Sequence, residues 1–243
     1  MINKITLIII KLFDFFHKQK IINFLKKNSN LNFDIIIDIG AHKGESIKLF
    51  LKYFKSKKLI SFEASPINYE ILKYNINSIK KKFNKTEIII ENFAVGNENK
   101  LLQINQFSES SSSTLKPINV NSNYFKKKFF FLKNNNHKDF FKKVDVKMIL
   151  LKDYLTKNNI SAIDFLKIDT EGYEYETLLG LKEKLKNVKI ILFEHHYDNM
   201  ILKNYKFRDI HKILVDYNFI QILKIKMPLR KSFEYIYENK IIK

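Results

Sequence analysis

The apolar positions of the chain alternate between two spacings. Ile35-Ile36-Ile37 runs unbroken into Asp38-Ile-Gly40, and a second glycine follows at Gly44. A continuous β-branched run of that length reads as a buried parallel strand. Ile47, Phe50, Leu51 and Phe54 then fall at helical spacing, which predicts a helix over about 45–55. Leu59 to Ala64 reads as the next strand. Ser65-Pro66 opens a helix that Ile67, Ile71, Leu72, Ile76 and Ile79 carry to Lys82. Glu87 to Val95 reads as one strand, ending at Gly96, and Leu101 to Phe107 as another.

The pattern fades between Phe107 and Lys143. A polar Ser-rich piece, Ser108 to Lys116, leads into an aromatic, Lys- and Asn-rich stretch without clean periodicity. This segment is expected to be an insertion or lid, and its phenylalanines (Phe125, Phe129, Phe130, Phe131, Phe140, Phe141) point to some packing. Order then returns. Val144–Met148 is a short strand, Leu150–Lys157 a helix, Ile163–Asp169 a buried strand, and Tyr175, Leu178 and Leu179 begin a helix. Val188–Glu194 is a further apolar strand. Phe207, Ile210, Ile213, Leu214 and Tyr217 mark a helix, and Phe219–Ile225 with Phe233–Tyr237 a terminal hairpin. Strands alternating with helices predict an α/β fold, a doubly wound and mostly parallel sheet with helices on both faces and an antiparallel edge.

Composition changes this picture in three places. The 243 residues suit one α/β domain over 31–243, preceded by a helical segment at 1–30. That segment, Ile5 to Lys26, reads as one or two amphipathic helices. Its apolar run to Phe16 is short for a bilayer span and carries Lys11 and Asp14. Packing on the domain flank, a dimer contact and a peripheral membrane contact are its open roles. The net charge of +19 is almost all lysine, with Arg208 and Arg230 the only arginines. Arginine is the side chain for bidentate phosphate and base recognition, so no specific nucleic-acid partner is expected. The chain has no cysteine, which excludes disulfides and thiolate metal sites and suits a cytoplasmic protein.

The candidate chemistry sits at the strand ends, where open α/β sheets bind ligands. Starting from Gly40, the chain places His42 and Glu45 where a dinucleotide fingerprint needs glycines. A P-loop is absent too, because Lys43-Gly44 reverses its order. Asp38, just before the turn, suits a cationic ligand such as the amino group of S-adenosylmethionine. Glu63, at the next strand end, lies at the spacing of a carboxylate that takes ribose hydroxyls. Lys167 and Asp169 share one face of their strand. Lys167 neutralises Asp169 or serves the site, Asp169 stands beside the reacting group, and Glu171 binds substrate or caps the next helix. In Glu194-His195-His196 a histidine is a general base, a ligand with Asp169 and Glu194 for a divalent metal, or part of a polar rim. No metal site is assigned. His17, His137 and His211 lie off the site in this reading.

Asp38-Ile-Gly-Ala-His-Lys-Gly44, Phe62-Glu-Ala-Ser-Pro66, Leu166-Lys-Ile-Asp-Thr-Glu-Gly172 and Ile191-Leu-Phe-Glu194 occur in that order. Together, with the Ser-rich piece around Ser110 to Leu115, they resemble the FkbM family of S-adenosylmethionine-dependent methyltransferases, over about 35–196. The resemblance implies a class I, Rossmann-like, seven-stranded methyltransferase fold and O-methylation of a hydroxyl on a sugar, glycan or related small molecule. It implies that Asp38, Gly40, Ala41 and Gly44 line the methionine end of the cofactor, with His42 contributing its backbone where the family more often has Asn. Glu63, with Ala64 beside it, takes the ribose, and Asn92 to Val95, including Ala94, approach the adenine. Asp169, Glu171 and His195 or His196 serve the acceptor. An RNA methyltransferase and a non-catalytic Rossmann-like component of glycan assembly are the competing readings.

Overall fold

The computed structural model describes residues 2–29, 31–107, 113–132 and 140–242, with the backbone alone for 2–11 and 131–132. A first helix, α1 (Ile2–Asn28), precedes the strand β1 (Asn32–Ile39). Then follow α2 (Glu45–Tyr53), β2 (Lys55–Phe62), α3 (Pro66–Lys82), β3 (Glu87–Glu91), β4 (Ala94–Gly96) and β5 (Lys100–Phe107). After α4 (Asn123–Leu132) come β6 (Phe141–Leu150), α5 (Leu151–Lys157), β7 (Ile163–Ile168) and α6 (Glu174–Leu181). The chain closes with β8 (Val188–His196), α7 (Phe207–Asp216), β9 (Phe219–Lys226) and β10 (Ser232–Asn239).

Seven strands form the main sheet in the order β3-β2-β1-β7-β8-β10-β9. The pairs from β3 to β8 are parallel, while β10 runs antiparallel to both β8 and β9. The chain leaves β1 toward β2 and β3, then returns to β7 on its other side. The crevice at the carboxyl ends of β1 and β7 is therefore the topological switch point. One face is covered by α1, α2 and α3 over Ile36, Phe50, Leu72 and Phe165. The other is covered by α5, α6 and α7 over Ile37, Leu166, Leu178 and Leu214. Alternate residues of β1 thus feed two separate cores, which is why the run had to be apolar throughout.

Local signals hold at α3. Ser65 caps it, its hydroxyl accepting from Asn68 N at 3.2 Å, and Pro66 fills the first helical position. Two expectations change. Residues 87–96 are two strands, not one. Glu91 is the last residue with a partner on β2, opposite Phe62. Beyond it the chain turns, and Ala94–Gly96 pairs with β6 in a separate three-stranded sheet, β4-β6-β5. The stretch without periodicity also contains a helix, α4. Phe125 and Phe140 are buried there with Phe107, Met200 and Ile201 in a small core of their own. The side chain of Phe131, His137 and the serines Ser108 to Ser112 lie outside the described residues.

The first helix is a single continuous one. His17, Ile21, Ile22 and Leu25 seat its carboxyl half on the main sheet. Its Asp14 accepts from Arg230 Nη2 at 2.8 Å, and His17 Nε2 lies 2.5 Å from Glu234 Oε2, so it is joined to the terminal hairpin. Among the described residues no helix is long and apolar enough to cross a membrane.

Candidate active site

A cavity of about 1370 Å³ opens at the switch point. Its floor is the turn Gly40-Ala41-His42-Lys43, and one wall is Phe62-Glu63-Ala64 with Phe93-Ala94-Val95. Lys167, Asp169, Thr170 and Glu171 from the end of β7 face Glu194 and His196 from β8. Tyr124 of α4, Arg230 of the terminal hairpin and Phe13, Asp14 and Phe15 of α1 complete it. At this size the space admits a nucleoside cofactor and an acceptor together, since a pocket for one small ligand measures about 300–1000 Å³.

The turn is built on glycine for a geometric reason. Gly40 has φ +84, and a Cβ there would stand 1.9 Å from the carbonyl oxygen of Asp169. Only a glycine lets β1 and β7 end this close together. The neighbouring amides of Gly40 and Ala41 both donate to Phe62 O, at 2.9 and 3.0 Å, which locks the turn to β2. Gly44, with φ +94, begins α2 and does not line the cavity.

Glu63 enters the cavity with both oxygens held. Oε2 accepts from His42 N at 2.7 Å, and Oε1 accepts from Ser65 N at 2.9 Å and Asn68 Nδ2 at 3.5 Å. His42 thus acts through its backbone, in the left-handed region at φ 50. Burial pushes the Glu63 carboxyl up to about 7, against the lowering effect of those donors. Asn92 stands behind this wall: its side-chain amide donates to Glu63 O at 2.8 Å and Ala64 O at 3.3 Å, and it does not line the cavity.

Asp38 is placed differently from its expected role. It is fully buried beneath the turn and does not line the cavity. Its Oδ2 accepts from Ser46 Oγ at 2.5 Å and its Oδ1 from Lys167 Nζ at 3.1 Å. Lys167 also lies 3.3 Å from Asp169 Oδ2, so one ammonium bridges two carboxylates. Burial opposes the Lys167 charge, yet Asp38 and Asp169 hold its pKa well above the ordinary lysine range. Burial would likewise raise Asp169, but the Lys167 charge keeps it below the usual carboxylate range. Asp169, about one third exposed, is the member of this trio that reaches the cavity as an anion.

Strand alternation sorts the second cluster. Glu194 and His196 point to the cavity, and His195, one residue between them, points to the opposite face. There it packs on Tyr197, Tyr205 and Phe207, with ring centroids at 4.8, 5.9 and 5.8 Å. Burial in that aromatic nest pushes the His195 imidazole down to about 3. The expected base role of His195 therefore has no access to the site. His196 stands among three carboxylates: Nε2 is 3.1 Å from Glu171 Oε2 and 3.3 Å from Glu194 Oε1, and Nδ1 is 3.5 Å from Asp198 Oδ2. Neither contact of Nε2 has hydrogen-bond angles, so Nε2 and Glu194 Oε1 are buried without a hydrogen-bond partner. Burial disfavours the imidazolium, but Glu194, Glu171 and Asp198 together hold its pKa well above 6.5. Burial pushes Glu194 up to about 8, eased by His196 and reinforced by Asp169 and Glu171. Among the described residues no group of three such side chains is arranged to hold a metal ion.

Glu171 does not cap α6. The N-cap of α6 is Tyr173, without a side-chain hydrogen bond, and Glu174 instead ties down the loop before it, its Oε1 accepting from Gly172 N at 2.9 Å and Thr170 N at 3.3 Å. Sequence reasoning missed Arg230 as a cavity residue. Its signal was its rarity, one of two arginines among 44 basic residues.

A parallel sheet with a reversed strand inserted before its edge, and a glycine turn at the switch point, define a class I S-adenosylmethionine-dependent methyltransferase fold. A family model described as the methyltransferase FkbM domain matches residues 38–220. The chain belongs to the FkbM methyltransferase family. It superposes on the crystal structure of the FkbM methyltransferase of Methylobacillus flagellatus KT with a TM-score of 0.54 at 15% identity, over 84% of this chain and 43% of that one. This chain thus spans less than half the length of that relative. It also superposes on the magnesium protoporphyrin IX methyltransferase of Synechocystis PCC 6803, solved with S-adenosylmethionine bound, with a TM-score of 0.54 at 9% identity, over 95% of this chain and 82% of that one. No curated protein matches the sequence.

Proposed function

We propose that the protein transfers a methyl group from S-adenosylmethionine to a hydroxyl, on a sugar, glycan or related small molecule. The observation that carries this reading is the pair of carboxylates lining one cavity from the two strands that flank β1, Glu63 after β2 and Asp169 after β7, the latter with Glu194 and His196.

The residues present fit the cofactor. Glu63 offers two oxygens to a ribose diol, and Phe93, Ala94 and Phe62 offer an apolar slot to the adenine. Ala41, the Gly40 carbonyl and the anionic Asp169 accept the methionine ammonium. Asp38 holds this end indirectly, by fixing Lys167 and the first turn of α2. When bound, S-adenosylmethionine supplies an electrophilic sulfonium methyl.

The remaining requirement is loss of the acceptor hydroxyl's proton. The Glu194 carboxylate, which lines the cavity, receives it. A carboxyl with a pKa near the working pH is suited to take a proton in the transition state. His196, held as a cation, is a poor base and a good positioning group, since it fixes Glu171 and Glu194 from one side. Holding acceptor and donor in register supplies about 7–11 kcal/mol of the barrier in well-oriented systems.

Labelled-methyl transfer to a panel of sugars and glycans tests the reading, with wild type beside Glu194→Gln. Transfer is expected with wild type, with a loss of about 100-fold or more in the variant and unchanged binding of S-adenosylhomocysteine. Full turnover in Glu194→Gln would remove Glu194 from this role, and no cofactor binding by wild type would end the reading.

A further inference from the structure

Two elements carry exposed apolar side chains to the mouth of the cavity, and a third adds basic ones. The first is α1. Its inward face is spent on His17, Ile21, Ile22 and Leu25, yet Leu12, Phe13, Phe15 and Phe16 are 43–55% exposed one turn earlier. Leu12 and Phe16 lie on the helix face opposite that buried stripe. In the sequence, Ile5, Ile8 and Ile9 continue at the same helical spacing. A helix apolar on two opposite faces needs cover on both. Phe13 and Phe15 also line the cavity.

The second element is the turn between β9 and β10. Leu229 lines the cavity, is 71% exposed, and takes φ +60, a backbone region that a branched side chain avoids. An exposed leucine on a strained turn is costly twice over, so its position calls for a compensating contact. The hairpin and α1 are joined through Arg230 and Asp14. The third element, α4, lies against α1 and adds basic side chains. Lys127 and Lys128 of α4, Lys18 of α1 and Lys231 of the hairpin all line the same opening.

We propose that this rim docks the protein on an anionic membrane surface, with the cavity mouth turned toward the bilayer. Aromatic and aliphatic side chains ringed by lysines are the chemistry of an interfacial helix. Charge selects this occupant over a second copy of the chain. Two copies would bring the same lysine-rich rim of a +19 chain against itself, whereas an anionic headgroup layer neutralises it. Taken with the methyl-transfer reading, an acceptor reaches Glu194 from the membrane side.

The chain has no tryptophan, so one introduced at Leu229 reports on the mouth alone. The experiment uses the full chain, with vesicles of phosphatidylcholine alone or mixed with phosphatidylglycerol. Wild type is expected to sediment with the anionic vesicles, to stay in solution with the neutral ones, and to be released by salt. Leu12→Ser/Phe16→Ser is expected to lose about tenfold or more in partitioning. Its S-adenosylhomocysteine binding should be unchanged, which shows that the variant is folded. The Leu229→Trp fluorescence should shift to the blue with anionic vesicles, while Val215→Trp, at the far end of α7, should not. Wild type left in solution, a double variant that sediments like wild type, or a shift at Val215→Trp without one at Leu229→Trp overturns the proposal. Dimerisation that the double variant abolishes, without vesicle binding, assigns the face to a second copy and also overturns it. Vesicle binding by a protein that binds no cofactor would leave docking standing and sink the methyl-transfer reading.

Discussion

Lys167 Nζ lies 3.1 Å from Asp38 Oδ1, so the most buried carboxylate of the glycine turn is spent on a lysine of the neighbouring strand. Asp38 therefore acts on the site from beneath. Asp38→Asn leaves Lys167 with Asp169 alone, in a position where its charge is barely solvated. The expected cost is about 3 kcal/mol of folding stability, as for other broken buried pairs. Chemical denaturation of the variant measures it. A variant as stable as wild type but weak in cofactor binding would restore Asp38 to direct ligand contact.

The Glu63 carboxyl is held up near 7 by burial, and in the proposed complex a ribose diol donates to its ionised form. Cofactor binding must then expel a proton below that pH. Affinity for S-adenosylhomocysteine is expected to fall about tenfold per unit of pH below 7 and to level off above it. Glu63→Gln should flatten this profile. Calorimetry across pH 5.5–8.5 reads both curves, and parallel curves would place the titration on another group.

His196 holds its proton more tightly folded than unfolded, since three carboxylates surround it. The stability it contributes is full below its unfolded value near 6.5 and drains away as pH rises through the higher folded value. The gap in unfolding free energy between wild type and His196→Gln should therefore be widest in mild acid and close in alkali. Denaturant midpoints at a series of pH values test this, and a gap independent of pH would mean that His196 is neutral in the fold.

These relationships mark what a sequence can disclose. The frame of the site was legible because strand ends, glycine turns and the Ser65-Pro66 cap are local signals. So was the approach of Asp169 to Lys167, fixed by the two-residue period of one strand. The same period could have separated His195 from His196, had the strand been read two residues longer. Asp38 was misplaced because its partner, Lys167, is 129 residues away. The split of 87–96 between two sheets depends on where β2 ends, which the run itself does not encode. Helix α4 escaped notice because its apolar positions serve a satellite core with Phe107 and Met200, not a single stripe. Arg230 and α1 reach the cavity through contacts distant in sequence, which no local pattern encodes.

The joining of α1 to the terminal hairpin has a temporal side. Asp14 meets Arg230 across 216 residues, and His17 meets Glu234 across 217. On the ribosome the opening helix emerges long before the strands that receive it. Its carboxyl half can settle early on β1 and α2, but Asp14 and His17 wait for partners made more than 200 residues later. Whatever meets that end of the helix during the interval, chaperone or lipid, meets it before the hairpin does.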